Sequence, residues 1–169
     1  QEFRDKYAML SERRLIWQYI SNLQTKKLKY VIGNADYIHS VDSLKLLTEI
    51  QKQAEKKGVF QKIFFYFFSS FESTKSGSGV EEVFNLAHES AKLSNLEVVG
   101  LMTMAPFVDD ITIIRDSFRR TRLLSEELQR AGYNGIKELS MGMTGDYLIA
   151  IEEGTTFLRI GTAIFGERN

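Results

Sequence analysis

The sequence predicts an α/β protein with a parallel sheet, and two observations carry that prediction. Six short apolar runs read as strands, and between them the apolar period shifts to the 3.6-residue spacing of amphipathic helices. A strand that returns parallel to its neighbour needs a crossover covering one sheet face, which is what such a helix supplies. In chain order the strands are expected at Leu15 to Ile20, Tyr37 to His39, Lys62 to Phe68, Leu96 to Leu101, Ile136 to Leu139 and Thr156 to Ile160. The third is the clearest, an aromatic and β-branched run bounded by Gly58 and by the loop from Ser69 to Gly79, and it reads as buried on both faces. The helices follow from Leu44, Leu47, Ile50 and Ala54, then Val80, Val83, Phe84, Ala87 and Ala91, then Ile111, Ile114, Phe118, Leu124 and Leu128. Lys26, Lys27 and Lys29 read as the wet face of a short helix. No Pro/Gly/Ser linker divides the chain and its one proline, Pro106, marks a loop, so residues 1–169 form one domain.

Two parallel architectures compete at this length. A doubly wound open sheet suits 169 residues, since complete (β/α) barrels run to about 250. Against it, no G-x-G-x-x-G fingerprint follows the first strand, and the Gly-bearing polar turns lie near the C-terminus, where barrels place phosphate sites.

Composition narrows the chemistry. Lys+Arg and Asp+Glu both number 22, so there is no global basic field to hold a polyanion, and nucleic acid is not an expected partner. The chain has no cysteine and two distant histidines, which excludes disulfides and thiol nucleophiles and makes a zinc centre a poor fit. Its longest strongly apolar run, Ile63 to Phe68, is far too short to cross a bilayer, and the N-terminus is too charged for a signal peptide, so a cytoplasmic protein without a membrane partner is expected. The chain opens on Gln1 rather than Met, and an upstream segment is expected to be absent from it.

Two segments carry the site signal. Leu139-Ser140-Met141-Gly142-Met143-Thr144-Gly145-Asp146 reads as a short strand, a Gly-bearing turn and a helix starting near Thr144; Leu158-Arg159-Ile160-Gly161-Thr162 repeats the arrangement. Adjacent βα turns of this kind aim backbone N–H groups and hydroxyls at one point, which suits a phosphate dianion. The plainer alternative is tight turns at Gly142 and Gly161 with Ser140 and Thr144 as helix caps. Arg159, between Leu158 and Ile160 at a strand end, needs a partner, either a carboxylate such as Asp146 or Asp42 or an anionic ligand. Ser40-Val41-Asp42-Ser43 reads as an N-cap at a strand end, His39 as a hydrogen-bonded structural histidine and His88 as a surface or edge residue. Lys75-Ser76-Gly77-Ser78-Gly79 lacks the spacing of a nucleotide-hydrolysing phosphate loop.

With these residues named, the sequence resembles the pyridoxal-phosphate homeostasis protein family, small relatives of the alanine racemase N-terminal barrel. The resemblance runs nearly end to end and is strongest over 139–146, 150–156 and 159–166. It is supported by Ser40-Val41-Asp42-Ser43, Lys75-Ser76-Gly77, Gly100-Leu101-Met102-Thr103-Met104-Ala105-Pro106 and Leu23-Gln24. It implies a (β/α)8 TIM-type barrel of the alanine racemase N-terminal type, here incomplete with about six of eight strands, binding pyridoxal 5′-phosphate at the strands' carboxyl ends. By position Ser140, Gly161 and Thr162 would receive the phosphate, the Met141 and Gly142 backbone would lie close by, and Arg159 would face the pyridine nitrogen. The resemblance further implies a carrier or regulator of the cofactor without catalytic residues or turnover. The family's cofactor lysine lies on a first strand that this chain is expected to begin beyond, and neither Lys62 nor Lys75 matches it. Gln18-Tyr19-Ile20-Ser21 replaces a His-aromatic-Ile-Gly turn and Phe68 replaces an Asn, both on the pocket side. The alternatives are a racemase- or decarboxylase-like enzyme, which would need a further C-terminal domain, and a fragment that no longer binds the cofactor.

Overall fold

A computed structural model describes residues 2–10, 12–69 and 78–166. The Lys75-Ser76-Gly77 match lies outside them. Six parallel strands are hydrogen-bonded in the order of the chain: β1 (Gln18–Tyr19), β2 (Tyr37–Val41), β3 (Gln61–Tyr66), β4 (Leu96–Met102), β5 (Glu138–Met143) and β6 (Phe157–Arg159). Every crossover therefore advances in one direction. A doubly wound sheet reverses its strand order at a switch point, so this order selects the barrel-type winding.

The intervening segments are α1 (Glu2–Leu10), a 3₁₀ turn (Thr25–Lys27) running into α2 (Leu28–Val31), α3 (Leu44–Lys57), α4 (Val80–Ser90), α5 (Ile111–Arg130), α6 (Tyr147–Glu152) and α7 (Thr162–Phe165). The three helices expected from periodicity form where the spacing placed them. Ser43 caps α3 by accepting from the Leu46 N–H, and Asp110 caps α5 by accepting from Thr112 and Ile113. The opening helix α1 was not foreseen: Phe3 and Tyr7, one turn apart in a charged segment, pack edge and face against Trp17 and Tyr19. That packing displaces the first strand, which keeps only Gln18 and Tyr19 while Leu15 and Ile16 stay exposed.

The sheet is curled. In a flat sheet β2 and β6, four spacings apart, would stand about 19 Å from one another. Instead the Tyr37 ring of β2 lies 5.4 Å from the Phe157 ring of β6, and Phe64 of β3 lies 5.3 Å from it. Alternate residues thus face two cores. The outer one, between strands and helices, is an apolar layer that includes Ile38, Ile63, Phe65, Leu101, Leu139 and Met141. The inner one is small, with Phe64, Tyr66, Val99 and Met102 buried and Tyr37 and Phe157 packed against them. Gly100 lets β5 pack close against β4, since a Cβ there would stand 1.9 Å from the Glu138 carbonyl oxygen.

Candidate functional site

The site grows from the carboxyl ends of β4, β5 and β6, where the strands' inward residues converge. Strand β5 is longer than expected: it runs through Gly142 to Met143, which pairs with Arg159, and α6 begins only at Tyr147. Ser140 and Met141 are therefore strand residues, not turn residues. The reason lies in the turn itself, where the Asp146 carboxylate accepts from the Met143 N–H at 2.5 Å and closes the chain after the strand rather than before it.

Alternation then separates the expected site residues. Ser140 points inward and is fully buried, whereas the Met141 side chain points outward into the helix-facing core. Gly142 has φ +92 and lies under α6; a Cβ there would stand 2.6 Å from the Ala150 Cβ, so packing alone requires glycine. Gly161 is different, because among the described residues a Cβ on it would meet no atom within 4 Å. It is exposed at the start of α7, beside the exposed Thr162. The Thr144 hydroxyl faces the same turn and accepts from the Gly161 and Ala163 N–H groups at 3.3 and 3.5 Å. The two Gly-bearing turns are thus brought together as expected, with Thr144 as the hydroxyl that links them.

Arg159 is held by three acceptors: the Ser140 carbonyl oxygen at 2.7 Å, the Ser140 Oγ at 2.9 Å and the Thr103 carbonyl oxygen at 2.7 Å. None is charged. Among the described residues no carboxylate is ion-paired with it; the Asp146 charge acts on it only from farther away. Burial lowers the Arg159 pKa to about 10, with Asp146 and Tyr66 pulling the other way. It stays cationic at neutral pH as a desolvated, unneutralised charge, which disposes of the ion-pair alternative for Asp146 and Asp42.

On the other side of Ser140 stands His39 of β2, with Nδ1 2.8 Å from the Ser140 Oγ. It is fully buried and stacks on Phe64 with ring centroids 4.2 Å apart, while Phe157 and Tyr37 approach its edges. Burial, then the Arg159 charge, lowers its pKa to about 3. Its Nε2 has no hydrogen-bond partner among the described residues. Sequence reading took His39 as hydrogen-bonded and structural, but its position against Ser140 and Arg159 was not legible, because the contact spans 101 residues. Thr103 was missed as well, since it contributes only a backbone oxygen.

The far end of the barrel is a different environment. Lys62, at the amino end of β3, reaches over the Tyr37 ring and lies 4.0 Å from Glu97. A larger cavity there, of about 500 Å³, is lined by Arg13, Trp17, Asp36, Tyr37 and Lys62, away from Arg159. A small one of about 70 Å³ lies at the carboxyl ends, between Ser40, Asp42, Tyr66 and Met102. Among the described residues no cluster of acidic or histidine side chains could hold a metal ion, and no helix is long and apolar enough to cross a membrane.

The sequence profile of the alanine racemase N-terminal domain matches residues 5–169. The pyridoxal phosphate homeostasis protein of Aquifex aeolicus is 42% identical over 168 residues, covering 99% of this chain and 74% of that protein. This chain belongs to that family. The Vibrio cholerae member is 35% identical over 173 residues, covering all of this chain and 73% of its own length. Among solved structures PipY of Synechococcus elongatus, with pyridoxal phosphate bound, superposes with a TM-score of 0.90 at 29% identity over 98% of this chain and 78% of that one. An alanine racemase of Clostridium difficile shares the fold, with a TM-score of 0.75 at 18% identity over 98% of this chain and 46% of that one. As a member of the pyridoxal phosphate homeostasis family, the chain is an α/β protein of six parallel strands wound as an incomplete barrel.

Proposed function

We propose that residues 1–169 form a single domain that binds pyridoxal 5′-phosphate and serves the homeostasis of that cofactor in the cytoplasm, without catalytic turnover and without a nucleic-acid partner. The observation that carries this reading is Arg159, a half-buried guanidinium held by three uncharged acceptors and balanced by no carboxylate contact among the described residues. A charge so placed favours an electron-rich ligand atom. The exposed Gly161 and Thr162 at the start of α7, with the Thr144 hydroxyl beside them, offer backbone and hydroxyl groups to a phosphate.

In this reading Gly161 and Thr162 receive the phosphate with the Met141–Gly142 backbone close by, and Arg159 faces the pyridine nitrogen; Ser140, expected to share in the phosphate, is fully buried with its hydroxyl between Arg159 and His39 and serves the guanidinium instead. Pyridoxal phosphate, when bound, supplies an aldehyde reactive toward amines and a ring that can withdraw electrons. Arg159, a donor that never accepts, would hold that nitrogen unprotonated and weaken the ring as an electron sink, which suits storage better than carbanion chemistry. The names of the relatives and the cofactor in PipY support the same reading.

Fluorescence titration with pyridoxal phosphate tests it. Arg159→Ala is expected to weaken binding by roughly 10- to 100-fold, the range for a hydrogen bond to a charged group. Unchanged affinity would overturn the assignment of Arg159. Turnover of alanine enantiomers, followed by chiral chromatography, would overturn the non-catalytic part.

A further inference from the structure

We propose that His39 is a positioning residue for Arg159, acting through the Ser140 hydroxyl across the barrel lumen. The inference rests on the reading of Arg159 as the cation that faces the cofactor, and its argument is one of hydrogen accounting.

A guanidinium only donates, so the Ser140 Oγ must accept from Arg159 Nη1 at 2.9 Å. The hydroxyl hydrogen must then point elsewhere. Its one other neighbour within hydrogen-bond distance among the described residues is His39 Nδ1, at 2.8 Å. Ser140 therefore donates to Nδ1, which requires a neutral ring carrying its proton on Nε2. The reverse arrangement, with Nδ1–H donating, would leave the serine hydrogen without an acceptor. Nε2 is the nitrogen found without a partner. The unmatched N–H is what this tautomer leaves behind.

The ring cannot turn to relieve it. Phe64 stacks on its face with an 18° interplanar angle, and Tyr37 and Phe157 stand at its edges. A phenylalanine would fill the same aromatic box with no orphaned donor, so packing does not call for a histidine here. What histidine adds is an acceptor that fixes the serine rotor, and a fixed rotor presents its lone pair to Arg159. The other two acceptors of Arg159 are backbone oxygens already set by the sheet. His39 thereby ties β2 to the residue pair on β5 and β6, and the guanidinium is oriented before any ligand arrives.

The test has one arm without cofactor and one with it. Nitrogen-15 NMR of the chain at neutral pH is expected to show His39 neutral and protonated on Nε2, with that preference lost in Ser140→Ala. Rotation of the Arg159 guanidinium is expected to be slow in the parent chain, fast in His39→Phe, and slowed again in His39→Asn, whose amide oxygen can accept where Nδ1 did. Titration with pyridoxal phosphate should then find His39→Phe and Ser140→Ala each weaker by roughly 10-fold, with the double variant no weaker than either. An Nδ1-protonated ring, or His39→Phe with unchanged guanidinium rotation and affinity, would overturn the proposal and leave His39 a packing residue. If His39→Phe does not fold, the tautomer in Ser140→Ala decides. If the parent chain shows the NMR coupling but does not bind pyridoxal phosphate, the cofactor reading fails and the positioning role stands.

Discussion

Along β3, Ile63 and Phe65 face the helices while Phe64 and Tyr66 face the lumen, so a single residue step separates two kinds of interior. The outer layer is apolar and generic, and strands of either parallel architecture could use it. The inner layer mixes aromatic rings with a polar chain running from Thr103 through Arg159 and Ser140 to His39. The comparison teaches that burial alone does not define this core. On the outer face burial stabilises the fold; on the inner face it desolvates Arg159 and His39 and lowers the pKa of both.

The largest expected effect separates the layers by stability. Phe65→Ala, on the outer face, should destabilise the chain by about 4 kcal/mol in chemical denaturation while leaving pyridoxal phosphate affinity of the folded fraction within about twofold. A large affinity loss would mean that the layers are coupled.

Next is pH. His39 has a folded pKa of about 3 against an ordinary 6.5, so its neutral form stabilises the fold above pH 6.5 and that contribution is lost as pH falls toward 3. From this group alone, stability should drop by roughly 3 kcal/mol between pH 7 and pH 4, a loss that already includes the repulsion from Arg159. Denaturation curves of His39→Phe should lack that component.

Gly142→Ala should cost about 2 kcal/mol, because it forces a non-glycine residue to positive φ against Ala150. Thermal unfolding measures it, and a neutral result would mean that α6 yields. The smallest effect belongs to the helix layer's own polar contact. Glu153 is buried, and Arg115, Arg119 and Arg122 approach it at 3.3, 3.4 and 3.5 Å, holding α6 to α5. Glu153→Gln should destabilise by about 1 kcal/mol, less in high salt, with cofactor binding unchanged.

The sequence showed more of the outer layer than of the inner one. Helix spacing at Leu47, Ile50 and Ala54 and the run through Phe65 were local patterns; the helix formed as read, and the strand formed but ends at Tyr66 rather than Phe68. Phe3 and Tyr7 carried a helical spacing too, but its partners Trp17 and Tyr19 lay outside the segment, so α1 went unread. At the site, the Gly-bearing turns and Arg159 were legible as residue types at strand ends. The extra length of β5 was not, because the hydrogen bond from Met143 to Asp146, rather than the position of Gly142, sets where the strand ends.

What the sequence by itself determined, then, is the alternation of strands and helices, the residues that face apolar surroundings, and the chemistry stocked at the last two turns. Tertiary structure alone decided the strand order, the curl that sets Tyr37 5.4 Å from Phe157, and the pairing of His39 with Ser140. Periodicity is written in neighbouring residues and survives without the rest of the chain. Curvature and register come from packing between strands far apart in sequence, and only there does a lone histidine meet the serine that holds an arginine in place.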